Sequence, residues 1–272
     1  MSLRKSNWYT YLILLVALLI VLSPMAYMVV IALTPHRMLF HSLLPRAITI
    51  KNFLTVLSNT EMVMCYRNSW IIASCTASLV LVLASLAAYG FSRFRFRGKK
   101  LTVLTLLLTQ MLPMELLAVS YFKIITRLNM YNTKSALILV DSTFTLPFCI
   151  LILTSVFDTI PVEIEDAAMI DGASRMGCFI RIVLPLSSAG LCAAWLFAFI
   201  QSWAEYLYAL VFTSDYRAMP ITVEIGKLLG HYITSWEVMM ALALFAALPI
   251  IVFFVIFQKA FIKGLTGGAV KG

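Results

Sequence analysis

Residues 101–112 read LTVLTLLLTQML, and this stretch decides the fold. Its apolar side chains fall on every side of a helix, with none of the in/out alternation that a barrel strand shows. A helix that is apolar all round is at home in hydrocarbon, because it satisfies its own backbone polar groups there. The rest of the chain agrees. Of 272 residues, 62% are hydrophobic and 12% charged, with a mean hydropathy of +0.95, far from the composition of soluble globular domains. About 20 helical residues cross roughly 30 Å of hydrocarbon. Runs of that length recur over 9–33, 69–91, 101–122, 135–157, 187–212 and 238–257. The expected fold is an all-α membrane protein of six transmembrane helices, forming one domain over 1–272.

The first run follows Arg4 and Lys5, but it is longer than the apolar core of a signal peptide and lacks a small-residue cleavage site, so it reads as a retained helix. The formal charge of +9 has a topological explanation rather than a nucleic-acid one. Between the second and third runs, residues 92–100 carry Arg93, Arg95, Arg97, Lys99 and Lys100 without an acid, and short basic loops stay cytoplasmic. With six spans, both termini and segment 158–185 then lie on the same, cytoplasmic side. Cys65, Cys75, Cys149, Cys178 and Cys192 are scattered without metal or disulfide spacing. His36, His41 and His231 also lack ligand spacing, so no metal site is expected.

Segment 158–185, DTIPVEIEDAAMIDGASRMGCFIRIVLP, is a polar island between apolar runs. Asp158 and Thr159 are candidate caps, Pro161 suits a first turn, and Glu163 complements the helix dipole. That helix should run to about Ile170 and stop at Asp171–Gly172, where glycine can take the left-handed conformation. A second helix, 175–183, places Met176, Phe179 and Val183 on one side, and Pro185 is expected to end it. From periodicity alone, the pair reads equally as a docking wedge or as an amphipathic connector on the lipid surface.

The stretch EDAAMIDGASRMGCFIRIVLP resembles the EAA loop of permease subunits in binding-protein-dependent ABC importers. The matching positions are Asp166, Ala167, Ala168, Asp171, Gly172, Ala173, Phe179, Ile182, Leu184 and Pro185, with Asp166 where the family usually has Glu and Glu165 just before it. Residues 68–100 resemble the second span and basic loop of maltose-type sugar permeases, and residues 261–272 resemble their C-terminal tail. The resemblance implies that 158–185 is a cytoplasmic coupling loop between helices 4 and 5, docking on a partner ATPase through Glu165, Asp166, Ala167, Ala168, Asp171, Gly172, Ala173, Phe179, Leu184 and Pro185. It further implies a second permease subunit, two ATP-binding subunits holding ATP and magnesium, an extracytoplasmic solute-binding protein, and residence in a bacterial inner membrane. Independently, the chain has no GxxxxGK[ST] sequence, and its largest inner segment is too small for a nucleotide-binding domain.

Ionisable groups inside spans are costly and mark candidate pathways. Glu115, Asp141 and Glu205 lie at similar depth in the third, fourth and fifth runs. Asp141 also suits a snorkelling position at the outer interface. Gln201, Glu205 and Tyr208 share a face at i, i+4, i+7 spacing, with Trp203 and Tyr206 nearby. On the third run, Gln110 precedes Pro113, which removes a backbone donor and should kink the helix near Glu115. The translocation-pathway candidates are therefore Gln110, Glu115, Gln201, Glu205 and Tyr208, with interhelical hydrogen bonding as the plainer role. Residues 48–57, with Ile50, Phe53, Leu54 and Leu57 on one face, read as an interfacial helix. Gly226 and Gly230 form a GxxxG outside any apolar run, a weak signal. The tail 263–272 reads as a disordered end by composition and as an ATPase contact by resemblance.

These features favour an importer subunit for a sugar or related polyol, without an active site of its own. A proton-coupled carrier using the intramembrane carboxylates is the alternative. An intramembrane enzyme lacks its motifs: there is no HExxH or GxSxG, and no His falls inside a span.

Overall fold

The computed structural model describes residues 8–39, 47–230 and 235–266; His41, His231 and the end of the tail from 267 lie outside the described residues. The regular structure among the described residues is helical. Four helices are long and apolar enough to cross a membrane: α1 (Trp8–Ala32), α3 (Thr60–Arg93), α6 (Lys134–Phe157) and the stretch Trp236–Phe257 of α13 (Trp236–Thr266). Two bent helix pairs raise the number to six if each pair is one span. Two compact units are distinguished, Met1–Val63 with Ile225–Leu248, and Met64–Glu224 with Pro249–Gly272.

In the first unit, α1 carries its leucines and isoleucines from Leu12 to Leu22 outward, as a helix surrounded by hydrocarbon does, and buries only its end at Ile31 and Ala32. Its last carbonyls have no partner within the helix. Buried Asn52, on α2 (Lys51–Ser58), supplies one by donating to Ala32 O and Thr34 O at 2.8 and 3.1 Å. The apolar face expected on α2 therefore divides. Ile50, Leu54 and Leu57 are more than half exposed, while Phe53 packs on Phe245 with ring centroids 5.9 Å apart. His36 Nδ1 pairs with Glu237 Oε1 at 2.9 Å.

In the second unit, α6 packs against α10 (Ser188–Ala204). Small residues make the approach close: Ala193, Ala194 and Ala198 are buried, and a Cβ added to Gly190 would come within 2.7 Å of Val156. Trp70, Trp195, Phe199, Trp203 and Phe253 form one aromatic cluster beside them. Trp203 thus belongs to the packing rather than to a polar face.

Two runs expected to be continuous are broken. The third divides into α4 (Lys99–Thr109) and α5 (Met114–Arg127), bent by 97°. Pro113 lacks an N–H and disfavours helical geometry at the residue before it, so the chain stops instead of kinking. The fifth run does not start at 187 and continue to 212. A helical stretch, Arg175–Leu186, precedes it at 80°, and α10 itself ends at Ala204, with α11 (Leu207–Phe212) following as a separate helix.

The island folds into α7 (Val162–Ile170), α8 (Arg175–Cys178), a π-helical segment Phe179–Val183, and α9 (Leu184–Leu186). Gly172 has φ +92°, the left-handed stop anticipated after Ile170, and Ala173 N donates to Ala168 O at 2.9 Å. Ser174 caps α8 through Gly177 N at 3.1 Å. Three local expectations fail. Asp158 ends α6 rather than capping α7, whose N-cap is Pro161. Pro185 sits inside the helical stretch, near the start of α9, and the break falls at Ser187. The wider π turn changes the periodicity, so Phe179 and Val183 are buried while Met176 is 55% exposed.

Candidate functional site

Two assemblies of polar groups stand out, both within the second unit. The first lies beneath the island. Glu165 is 3% exposed. Tyr89 Oη donates to its Oε2 at 2.6 Å, and Arg93 Nε donates to its Oε1 at 2.5 Å. Arg93 also donates to Ser92 Oγ at 2.8 Å and to Ile160 O at 3.1 Å, while Ser92 donates to Asp158. Phe179 packs on Tyr89 with centroids 4.8 Å apart, and the Arg175 guanidinium lies over Phe94 at 5.4 Å. Buried opposite charges hold when their remaining hydrogen-bonding capacity is used, and here it is used on both partners.

This arrangement ties the end of α3 and the start of the basic loop to the island, so both lie at one end of the helices. It also sorts the residues that the resemblance assigned to docking. Glu165 and Phe179 turn inward and support the loop from beneath; their side chains are unavailable at the surface. Asp166, Ala167, Asp171, Gly172 and Pro185 are exposed, and Ala168, Ala173 and Leu184 are half-buried. Ile170, at 87% exposure, is the most outward of the large apolar side chains on this face, with Val162, Ile164, Met176 and Ile180 also exposed.

The second assembly is a cavity of about 370 Å³. Every pathway candidate lines it: Gln110, Glu115, Gln201, Glu205 and Tyr208. The breaks in the helices make this possible. Glu205 leaves α10 with extended backbone, φ −64° and ψ 132°, and its carboxylate accepts from Tyr208 N at 2.7 Å and Ala209 N at 2.9 Å. It thereby caps α11, so the shared helical face anticipated for Gln201, Glu205 and Tyr208 is replaced by convergence across a break. Tyr208 Oη donates to Met114 O at 2.6 Å, tying α11 to the first turn of α5, and its ring stacks on Phe144 at 5.2 Å. Gln110 donates to Phe144 O at 3.2 Å.

Asp141 also lines the cavity, at 4% exposure. It does not snorkel. Ser202 Oγ donates to its Oδ2, and Ser202 lies 3.4 Å from Thr76 Oγ1. Sequence reasoning missed Ser202 and assigned Arg93 only to topology. Tyr89 and Arg93, which both bond to Glu165, stand at i, i+4 on one helix, whereas nothing in the linear pattern marks Ser202. Among the described residues, no group of three or more His, Cys, Asp or Glu is placed to hold a metal ion.

A polar cavity between broken apolar helices, with a polar loop locked to one end, defines a membrane transport component. Residues 80–267 match the family described as binding-protein-dependent transport system inner membrane component, and the chain belongs to that family. It is 36% identical over 258 residues to the trehalose/maltose transport system permease protein MalG of Thermococcus litoralis, covering 93% of each chain. It is 33% identical over 230 residues to the sulfoquinovosyl glycerol transport system permease protein SmoH of Agrobacterium fabrum, covering 84% of this chain and 80% of that one. In fold it resembles the crystal structure of a bacterial ABC transporter involved in the import of the acidic polysaccharide alginate. The TM-score is 0.79 at 20% identity, over 93% of this chain and 95% of that one.

Proposed function

We propose that the chain acts as a single transmembrane permease domain in an ATP-driven importer of a sugar or related polyol. It crosses the bacterial inner membrane six times, each bent pair counting as one span, with both termini and segments 92–100 and 158–185 in the cytoplasm. Its partners are a second permease subunit, two ATP-binding subunits that hold ATP and magnesium, and a solute-binding protein outside. The named substrates of the relatives support the solute class, and the family description supports the binding protein.

The observation that carries this reading is the buried Arg93–Glu165 pair beneath an outward-facing loop. Motion applied at Asp166–Gly172 is passed to α3 through Arg93 and to α6 and α10 through the chain. The helices around the cavity then move as a set, as alternating access requires. The exposed small residues let a partner surface approach the backbone, and Ile170 offers an apolar anchor. A proton-coupled carrier is disfavoured by the family membership and by Glu205, whose carboxylate is engaged as a helix cap.

The test replaces Asp166 with Lys and Ile170 with Asp in the complete importer. Both side chains are exposed, so the chain should remain in the membrane at normal level. ATP-dependent uptake should fall at least tenfold, with hydrolysis no longer responding to the loaded binding protein. Uptake at the unaltered rate would refute docking through this face.

A further inference from the structure

Family membership leaves the charge of the solute open, since the alginate importer of similar fold handles an acidic polysaccharide. Resting on the importer reading above, the cavity itself decides the matter. Glu115, Asp141 and Glu205 line it, and no Lys, Arg or His is among its lining residues. An anionic group held about 4 Å from the exposed Glu115 carboxylate, at an effective dielectric of ~20, is disfavoured roughly a thousandfold.

Asp141 adds a second and independent observation. It is 4% exposed, and although Oδ2 accepts from Ser202, no donor of the described protein reaches Oδ1. Buried carboxylate oxygens are ordinarily satisfied, and Oδ1, left over and screened on a residue that lines the cavity, meets a donor from the cavity contents once the Asp141 side chain turns toward them. Glu205 makes no such demand, because both of its oxygens accept from backbone amides. Phe144, Phe197 and Tyr206 line the same space, and apolar walls with few convergent polar groups suit a sugar, whose faces are apolar and whose edges are hydroxylated.

We infer that the cavity receives a solute that bears hydrogen-bond donors and no negative charge. One hydroxyl or amino group of a neutral or amine-bearing sugar donates to Asp141 Oδ1, and carboxylated or phosphorylated sugars are rejected.

The test uses the complete importer in proteoliposomes with ATP inside, offered a panel of neutral sugars, aminosugars, uronic acids and sugar phosphates. A transported solute should come from the first two classes. Asp141→Asn keeps the size of the side chain and an acceptor for Ser202. It should lower uptake of a neutral sugar about tenfold and of an amine-bearing one about a hundredfold, the range for losing a hydrogen bond to a charged group, without altering solute affinity of the binding protein. A wild-type importer that moves a uronic acid or sugar phosphate as its preferred solute overturns the charge rule. Asp141→Asn uptake within twofold of wild type overturns the contact. Either result leaves ATP-driven import standing, whereas ATP-independent uptake would instead remove the importer reading. The wild-type panel tests the charge rule whether or not the variant folds.

Discussion

Beneath the loop, Glu165 is 3% exposed and both of its carboxylate oxygens are hydrogen-bonded within the protein; at the cavity, Asp141 is 4% exposed and only one of its oxygens is. Burial therefore does not separate the two, and pairing does. Glu165 meets an arginine and a tyrosine from α3, so its charge is spent on holding two pieces of chain together. Asp141 meets a single serine hydroxyl and keeps the rest of its capacity for whatever occupies the cavity. In a chain with 12% charged residues, one carboxylate serves structure and the other is held ready for a ligand. The outward faces differ as well. The loop turns Glu165 inward and shows Ile170 and Met176 beside the exposed Asp166 and Asp171, while the cavity shows Gln110, Glu115 and Gln201.

The comparison breaks most visibly at Glu165. Glu165→Ala leaves the Arg93 guanidinium buried without its partner and should cost about 3–5 kcal/mol, read as a lowered unfolding temperature in detergent and as new protease sensitivity within 158–185. Equal stability of variant and wild type would mean that the pair does not hold the loop. A smaller effect is expected at Gly172, where φ is +92° and a Cβ meets open space. Gly172→Ala should cost about 1–2 kcal/mol from backbone conformation alone, measured in the same way. Least of all is expected of Asp141→Asn, because the amide keeps an acceptor for Ser202 and so weakens, rather than removes, a hydrogen bond of roughly 1 kcal/mol. Its uptake should nevertheless fall. A melting shift as large as that of Glu165→Ala would erase the distinction between the two carboxylates.

Several residues show how much was legible in advance. Four of the apolar runs and the left-handed stop at Gly172 follow from local chemistry and appear where expected within a few residues. Every pathway candidate lines the cavity, where Tyr208 is buried, Glu205 half-buried, and Gln110, Glu115 and Gln201 exposed. The route by which they converge was not legible. Gln201, Glu205 and Tyr208 looked like one helical face, yet the helix ends at Ala204 and Glu205 caps the next one. Pro113 was expected to bend a span and instead interrupts it by 97°. The π segment at Phe179–Val183 carries Pro185 inside a helical stretch that proline was expected to end. Such breaks depend on who supplies the freed backbone groups with partners, and the partners come from distant parts of the chain.

The linear sequence determined the membrane class, the number of apolar runs, the position of the polar island and the short list of costly polar groups, because these follow from hydropathy and from the conformational limits of single residues. Tertiary structure alone decided that Arg93 belongs to Glu165 rather than only to a basic loop, that Asp141 lies inside rather than at an interface, and that Ser202 is its partner. The reason is physical. A buried polar group is stable only with a partner within hydrogen-bond distance, and that partner lies 72 residues away for Glu165 and 61 for Asp141, a separation that no local pattern records.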